Sequence, residues 1–295
     1  MSNAPCISHF IITAKTGNKA MENFNVDAYK PKEIADRIEQ ISVSKSVTDP
    51  LKVFALALLA GAFIAFAAAF FTVVTHGSNM SLGITRLLGG LAFCLGLILV
   101  VVAGAELFTG NNLLVMACVD KKITLKQLLI NWTVVFFGNL CGSLGLVLLI
   151  YLSGHWLMGH GAVGAQAVMI ANSKVNLSFM QAFSSGILCN ALVCLAVWLC
   201  FASHTVTDKI LAIIFPITAF VTLGFEHSVA NMYFIPAGMM AKTNPEIMKV
   251  VGDSIDLSNL NLVGFIHNLA PVTLGNIMGG SVFVGMIYWF IYLRN

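Results

Sequence analysis

The sequence predicts an all-α membrane protein of six transmembrane helices, arranged as an inverted repeat of three plus three with the second and fifth spans discontinuous. Three observations carry that expectation. Hydrophobic residues make up 58% of the 295 and charged residues 10%, against roughly 45–50% and 25% in ordinary soluble chains. The charges cluster, leaving uncharged runs at 53–85, 127–173, 175–207 and 257–293; as helix, about 20 apolar residues suffice to cross a hydrocarbon core of about 30 Å. The runs are continuous where a transmembrane barrel would alternate, so helices are expected. Finally, two spacings each occur twice and in the same order, which divides the chain into related halves.

The first 50 residues form a charged segment with no apolar core of signal-peptide length, so the first span itself is expected to direct insertion. Within it, Asp27 and Pro31 can start an amphipathic cytoplasmic helix with Ile34, Ile38 and Ile41 on one face. That helix lies on the bilayer or its own bundle, or gates the inner mouth. A channel domain follows over 51–293, its first repeat at 51–155 and its second at 176–293. The six spans fall at about 53–75, 87–118, 128–153, 178–202, 210–240 and 263–293, and 242–262 is a structured outer loop. With the N-terminus inside, seven Lys and Arg precede span 1, Lys121, Lys122 and Lys126 join spans 2 and 3, and Lys209 and Arg294 complete the set. Arg86, Lys174, Lys242 and Lys249 are left outside, so both termini are expected to be cytoplasmic.

Spans 2 and 5 are the abnormal ones. Each is about 30 residues, which as straight helix would measure about 45 Å, and each holds an acid at its middle. They share a spacing, Gly104-x-Glu106-x4-Asn111 and Gly224-x-Glu226-x4-Asn231. Glycine permits a break, and Glu and Asn can satisfy the backbone groups that a break frees. Spans 3 and 6 repeat the division: Asn131-x6-Gly138-Asn139-x2-Gly142 returns as Asn268-x6-Gly275-Asn276-x2-Gly279. Three spans per half is odd, so the second half runs upside down, and interrupted helices at matching places point to a permeation site. The paired glycines are read as close-packing surfaces.

Ionisable groups at bilayer depth need a partner or a function. Glu106 and Glu226 read as structural carboxylates bonding free N–H groups at the breaks. His227, in the second break, reads either as a satisfied core histidine or as an imidazole that attracts an anion or hands over a proton. The other histidines form no metal-ligand cluster, the seven cysteines have no C-x-x-C pair, and no catalytic or phosphate-loop motif occurs. No enzyme, metal or cofactor is therefore expected, and a net charge of +3 implies no nucleic-acid partner.

Over nearly all of 50–293 the chain resembles the formate/nitrite transporter family, and within it the bacterial formate channels. The resemblance rests on Gly104-Ala-Glu-Leu-Phe-Thr-Gly110, Asn131-Trp132 with Phe137-Gly-Asn-Leu140, Gly224-Phe-Glu-His-Ser-Val-Ala-Asn-Met232 and Pro271-Val-Thr-Leu-Gly-Asn276. It implies an aquaporin-like bundle in a bacterial inner membrane, assembled as a homopentamer with a separate pore through each protomer. It also implies a channel for formate or a similar small monovalent anion, crossing as a transiently protonated neutral acid. Carried over, the resemblance sets His227 in the pore with Asn268 as its hydrogen-bond partner and Thr109 facing it, and makes Phe93, Leu97, Leu107, Phe108, Val193 and Phe220 the constrictions. Lys174 becomes a basic residue of the outer vestibule, against the plainer reading of a solvated loop lysine. Gly110 and His267 look more like the nitrite branch, so a nitrite or hydrosulfide channel is one alternative and a proton-coupled carrier with alternating access another.

Overall fold

The computed structural model describes residues 28–294; Cys6, His9 and the expected helix start at Asp27 lie outside them. The described residues are helical: α1 (Pro31–Ser46), α2 (Pro50–Thr75), α3 (Leu82–Ala103), α4 (Gly110–Val119), α5 (Leu125–Leu152), α6 (Ala162–Val175), α7 (Phe179–Ala202), α8 (Val206–Thr222), α9 (Ser228–Ala241), α10 (Pro245–Val251) and α11 (Leu262–Tyr292). Five of these, α2, α3, α5, α7 and α11, are long and apolar enough to cross a membrane. The predicted second span divides into α3 and α4 and the fifth into α8 and α9, and α10 sits in the predicted outer loop.

Local chemistry sets the helix ends. Asp49 caps α2 ahead of a proline, and Thr124, Ser178 and Thr205 close capping boxes on α5, α7 and α8, each taking up N–H groups that the first turn leaves without a helical partner. At Gly104 and Gly224 the helices end in the left-handed region, φ +79° and +73°, where a Cβ would be strained.

The packing repeats between the halves. Helix α2 lies against α5, and α7 against α11. A Cβ on Gly142 would fall 1.9 Å from the Leu58 carbonyl oxygen; on Gly275 and Gly279 it would fall 2.2 Å from those of Phe183 and Ile187. These glycines therefore serve close helix approach, as their spacing suggests. One departure breaks the parallel: within α11, residues Met278–Met286 are π-helical.

Helix α6, between the two predicted repeats, has no counterpart among the expected spans. It packs along α9, where a Cβ on Gly238 would meet that of Ala171 at 2.3 Å. Helix α1 docks on the bundle: Ile34, Ala35 and Ile38 are buried with Met116, Trp198 and Val284, while Ile41 is 38% exposed. Buried Glu39 pairs with Lys122, which also reaches Asp120 at 3.2 Å, and Trp289 donates to Asp120 at 2.9 Å. The indole bond holds the Asp120 carboxyl below its ordinary range, whereas burial pushes that of Glu39 up.

Candidate functional site

The two helix breaks share the same asparagine anchor. In the first, Asn139 Oδ1 accepts the Phe108 N–H at 2.9 Å, and its Nδ2 donates to the carbonyls of Ala57 and Glu106 at 2.7 and 2.9 Å. In the second, Asn276 Oδ1 accepts the Ser228 N–H at 2.9 Å, and its Nδ2 donates to the carbonyls of Gly186 and Glu226 at 2.8 and 3.0 Å. A buried backbone group without a partner costs about 1–3 kcal/mol, and one asparagine on the facing helix takes up an N–H and a carbonyl at each break. The acids have a different part from the expected one. Instead of the free N–H groups, Glu106 meets Asn111 Nδ2 at 2.6 Å and Lys45 Nζ at 3.0 Å, and Glu226 meets Asn231 Nδ2 at 2.6 Å and Lys174 Nζ at 2.7 Å. Asn111 and Asn231 then bond Asn131 and Asn268 at 2.9 and 2.7 Å. The lysines come from the next-to-last residues of α1 and α6.

Two separate cavities flank this core. One, of about 400 Å³, is lined by Arg37, Lys45 and Lys209 with Leu97, Glu106 and Leu107. The other, of about 170 Å³, is lined by Arg86, Lys174 and Glu226 with Phe93, Phe220 and His227. Cations exceed carboxylates in both, an arrangement that concentrates small anions. Phe93 and Phe220 meet edge to face, ring centroids 5.8 Å apart, and Phe220 stacks on His227 at 5.9 Å.

His227 is only 3% exposed and Thr109 is fully buried. The ring caps α9: its Nδ1 accepts the Ala230 N–H at 3.0 Å, and its Nε2 meets Thr109 Oγ1 at 3.0 Å. With the Nδ1 lone pair engaged, the ring proton sits on Nε2 and is donated to the threonine hydroxyl. A second proton on Nδ1 would have to displace the backbone N–H.

Several expected placements change. Asn268 is not the partner of His227, whose two nitrogens are taken by Thr109 and Ala230; its amide instead donates to the Lys174 carbonyl at 2.8 Å and to Glu226 at 3.4 Å. Lys174 is no solvated loop lysine, since its side chain is 14% exposed and paired. Phe108 lines neither cavity; with its N–H tied to Asn139, its ring packs against Trp132 and Phe136. Val193 is buried and also lines neither. Sequence reasoning missed Arg37, Arg86 and Lys209 as cavity cations, and missed the anchoring role of Asn139 and Asn276, although their repeated position signalled it.

The profile of the formate/nitrite transporter family matches residues 32–290. The chain belongs to that family. It is 44% identical over 274 residues to the formate channel FocA of Escherichia coli K12, covering 91% of this chain and 96% of the relative. It is 41% identical to FocA of Haemophilus influenzae, covering 88% and 93%. Among solved structures, it matches one described as a pentameric formate channel with formate bound, at TM-score 0.76 and 46% identity, covering 83% of this chain and 98% of that one. An ion channel of the same family matches at TM-score 0.75 and 28% identity, covering 88% and 98%. All four relatives are described as channels, in keeping with a protein that is not an enzyme.

Proposed function

We propose that this chain forms a formate channel in a bacterial inner membrane: a homopentamer of six-span protomers, both termini cytoplasmic, each protomer with its own pore for formate and related small monovalent weak-acid anions. The single observation that carries this reading is the His227–Thr109 pair, buried at the break between two cation-lined cavities. Lys174 and Arg86 draw the anion into the smaller, outer cavity, and Lys45, Arg37 and Lys209 do the same on the cytoplasmic side. Phe93 and Phe220 form the outer collar and Leu97 and Leu107 the inner one. Between them an anion loses its hydration, at a cost of several kcal/mol even after relaxation, and its proton affinity rises. The Nε2–H of His227 turns from Thr109 to the substrate and holds it while a hydronium ion from the outer cavity protonates it and leaves as water. The neutral acid then passes the second collar and ionises beyond it. The donor geometry at His227 favours this route over electrostatic capture by an imidazolium, because a backbone N–H already occupies Nδ1.

A flux panel in liposomes tests substrate and mechanism together. Formate uptake is expected to exceed that of nitrite and hydrosulfide, to rise as the external pH falls, and not to saturate at high substrate. Nitrite faster than formate would transfer the reading to the nitrite branch, and saturating uptake would favour the alternating-access carrier.

A further inference from the structure

Helix α7 carries a fully buried asparagine that neither break contains, Asn190. Its Nδ2 lies 2.7 Å from Asn112 Oδ1, 2.7 Å from the Asn276 carbonyl and 3.2 Å from the Thr109 carbonyl. It thus reaches toward both breaks: the peptide that presents Thr109, and the residue whose amide fixes Glu226 and Ser228 on either side of His227. Cys194, one turn on, adds a thiol at 3.4 Å to the same Thr109 carbonyl.

The internal symmetry shows that this contact is additional to the fold. Asn139 bonds the carbonyl of Ala57 and Asn276 that of Gly186, so four residues further along each helix Gly61 corresponds to Asn190, and Ser143 to Gly280. In the first half a serine donates to a glycine carbonyl, Ser143 Oγ to Gly61 at 3.2 Å. In the second half the sizes are exchanged: a Cβ on Gly280 would lie 2.4 Å from Asn190 Nδ2, so the amide fits only because residue 280 has no side chain. Gly280 lies within the π-helical segment, and π turns within helices are frequent at functional sites. The first half shows that the same helix pair packs without such an amide.

We propose that Asn190 is a positioning residue that sets the register of the Thr109 hydroxyl against His227 Nε2, and through it the selectivity of the pore. This inference rests on the channel reading above.

The test replaces Asn190 by Gly and keeps Gly280, where a Cβ would also fall 2.8 Å from Cys194 Sγ and 2.9 Å from Asn112 Cβ, with Thr109→Val as the reference. All are reconstituted in liposomes and assayed for pentamer assembly, formate flux against pH, and the formate-to-acetate flux ratio. Asn190→Gly is expected to assemble, to conduct formate about tenfold more slowly, and to show the altered pH profile and narrowed flux ratio of Thr109→Val. Should it not assemble, Asn190→Ser is read in the same assays. A wild-type profile and ratio in the Asn190 variant, with both altered in Thr109→Val, would overturn the positioning role alone. Wild-type behaviour in both variants would overturn the pore reading and the positioning role with it.

Discussion

The two helix breaks share a scaffold and differ in what they hold. Each has a left-handed glycine, an asparagine on the facing helix that takes up freed backbone groups, and an acid held by an asparagine and a lysine. Where the first break places Leu107, the second places His227, and the hydroxyl that meets the imidazole, Thr109, comes from the opposite break. The scaffold therefore serves position and charge balance, and the chemistry resides at the point of difference. Burial differs as well: the side chains of Lys45 and Glu106 are 28% and 11% exposed, those of Lys174 and Glu226 14% and 5%.

That difference in burial orders the effects of breaking the scaffold. Removing one partner of a buried ion pair costs roughly 3–5 kcal/mol, so Glu226→Gln is expected to lose most of its assembled pentamer. Glu106→Gln, at the wetter break, should lose less. Size-exclusion chromatography with thermal unfolding in detergent measures both, and equal losses would mean that the halves do not differ as their burial implies. Next in size, His227→Phe removes the donor and keeps a ring. A hydrogen bond to a charged group contributes about 1.5–3 kcal/mol, so formate uptake should fall roughly ten- to a hundredfold with assembly intact. His227→Asn, which retains an N–H donor, should lie between the two, and a phenylalanine variant as fast as wild type would remove the imidazole from the account. The smallest effect is one of sidedness. Arg86→Met should slow uptake from outside, and Lys209→Met efflux from inside, each about three- to tenfold at low salt, because these cations line the two cavities outside the ion pairs that hold the breaks. Stopped-flow traces at two ionic strengths distinguish these from general damage, since a steering effect shrinks as salt is added.

Much of this was legible in the sequence, for identifiable reasons. The breaks were visible because Gly, Glu and Asn interrupt the apolar runs there at a shared spacing, and polar groups at bilayer depth stand out. Helix α6 was not visible: its residues are small and mildly apolar, and only contact with α9 shows that Ala171 is a packing residue and that Lys174 faces Glu226. The carried-over motif pairs His227 with Asn268, whose amide instead supports Asn231, while Thr109, set facing the ring, is the residue that meets Nε2. Phe108 looked like a pore residue from its neighbours in the motif. The bond that ties its N–H to Asn139 and the packing of its ring on Trp132 are tertiary facts. Asn190, a lone amide in the middle of span 4, carried a signal that went unused.

The central claim is that formate crosses as the neutral acid. The direct measurement records formate uptake and intravesicular pH together in proteoliposomes whose membrane voltage is clamped with potassium and valinomycin. One proton should enter with each formate, and the rate should not change with voltage. Formate entry that follows the imposed voltage without acidifying the lumen would contradict the account.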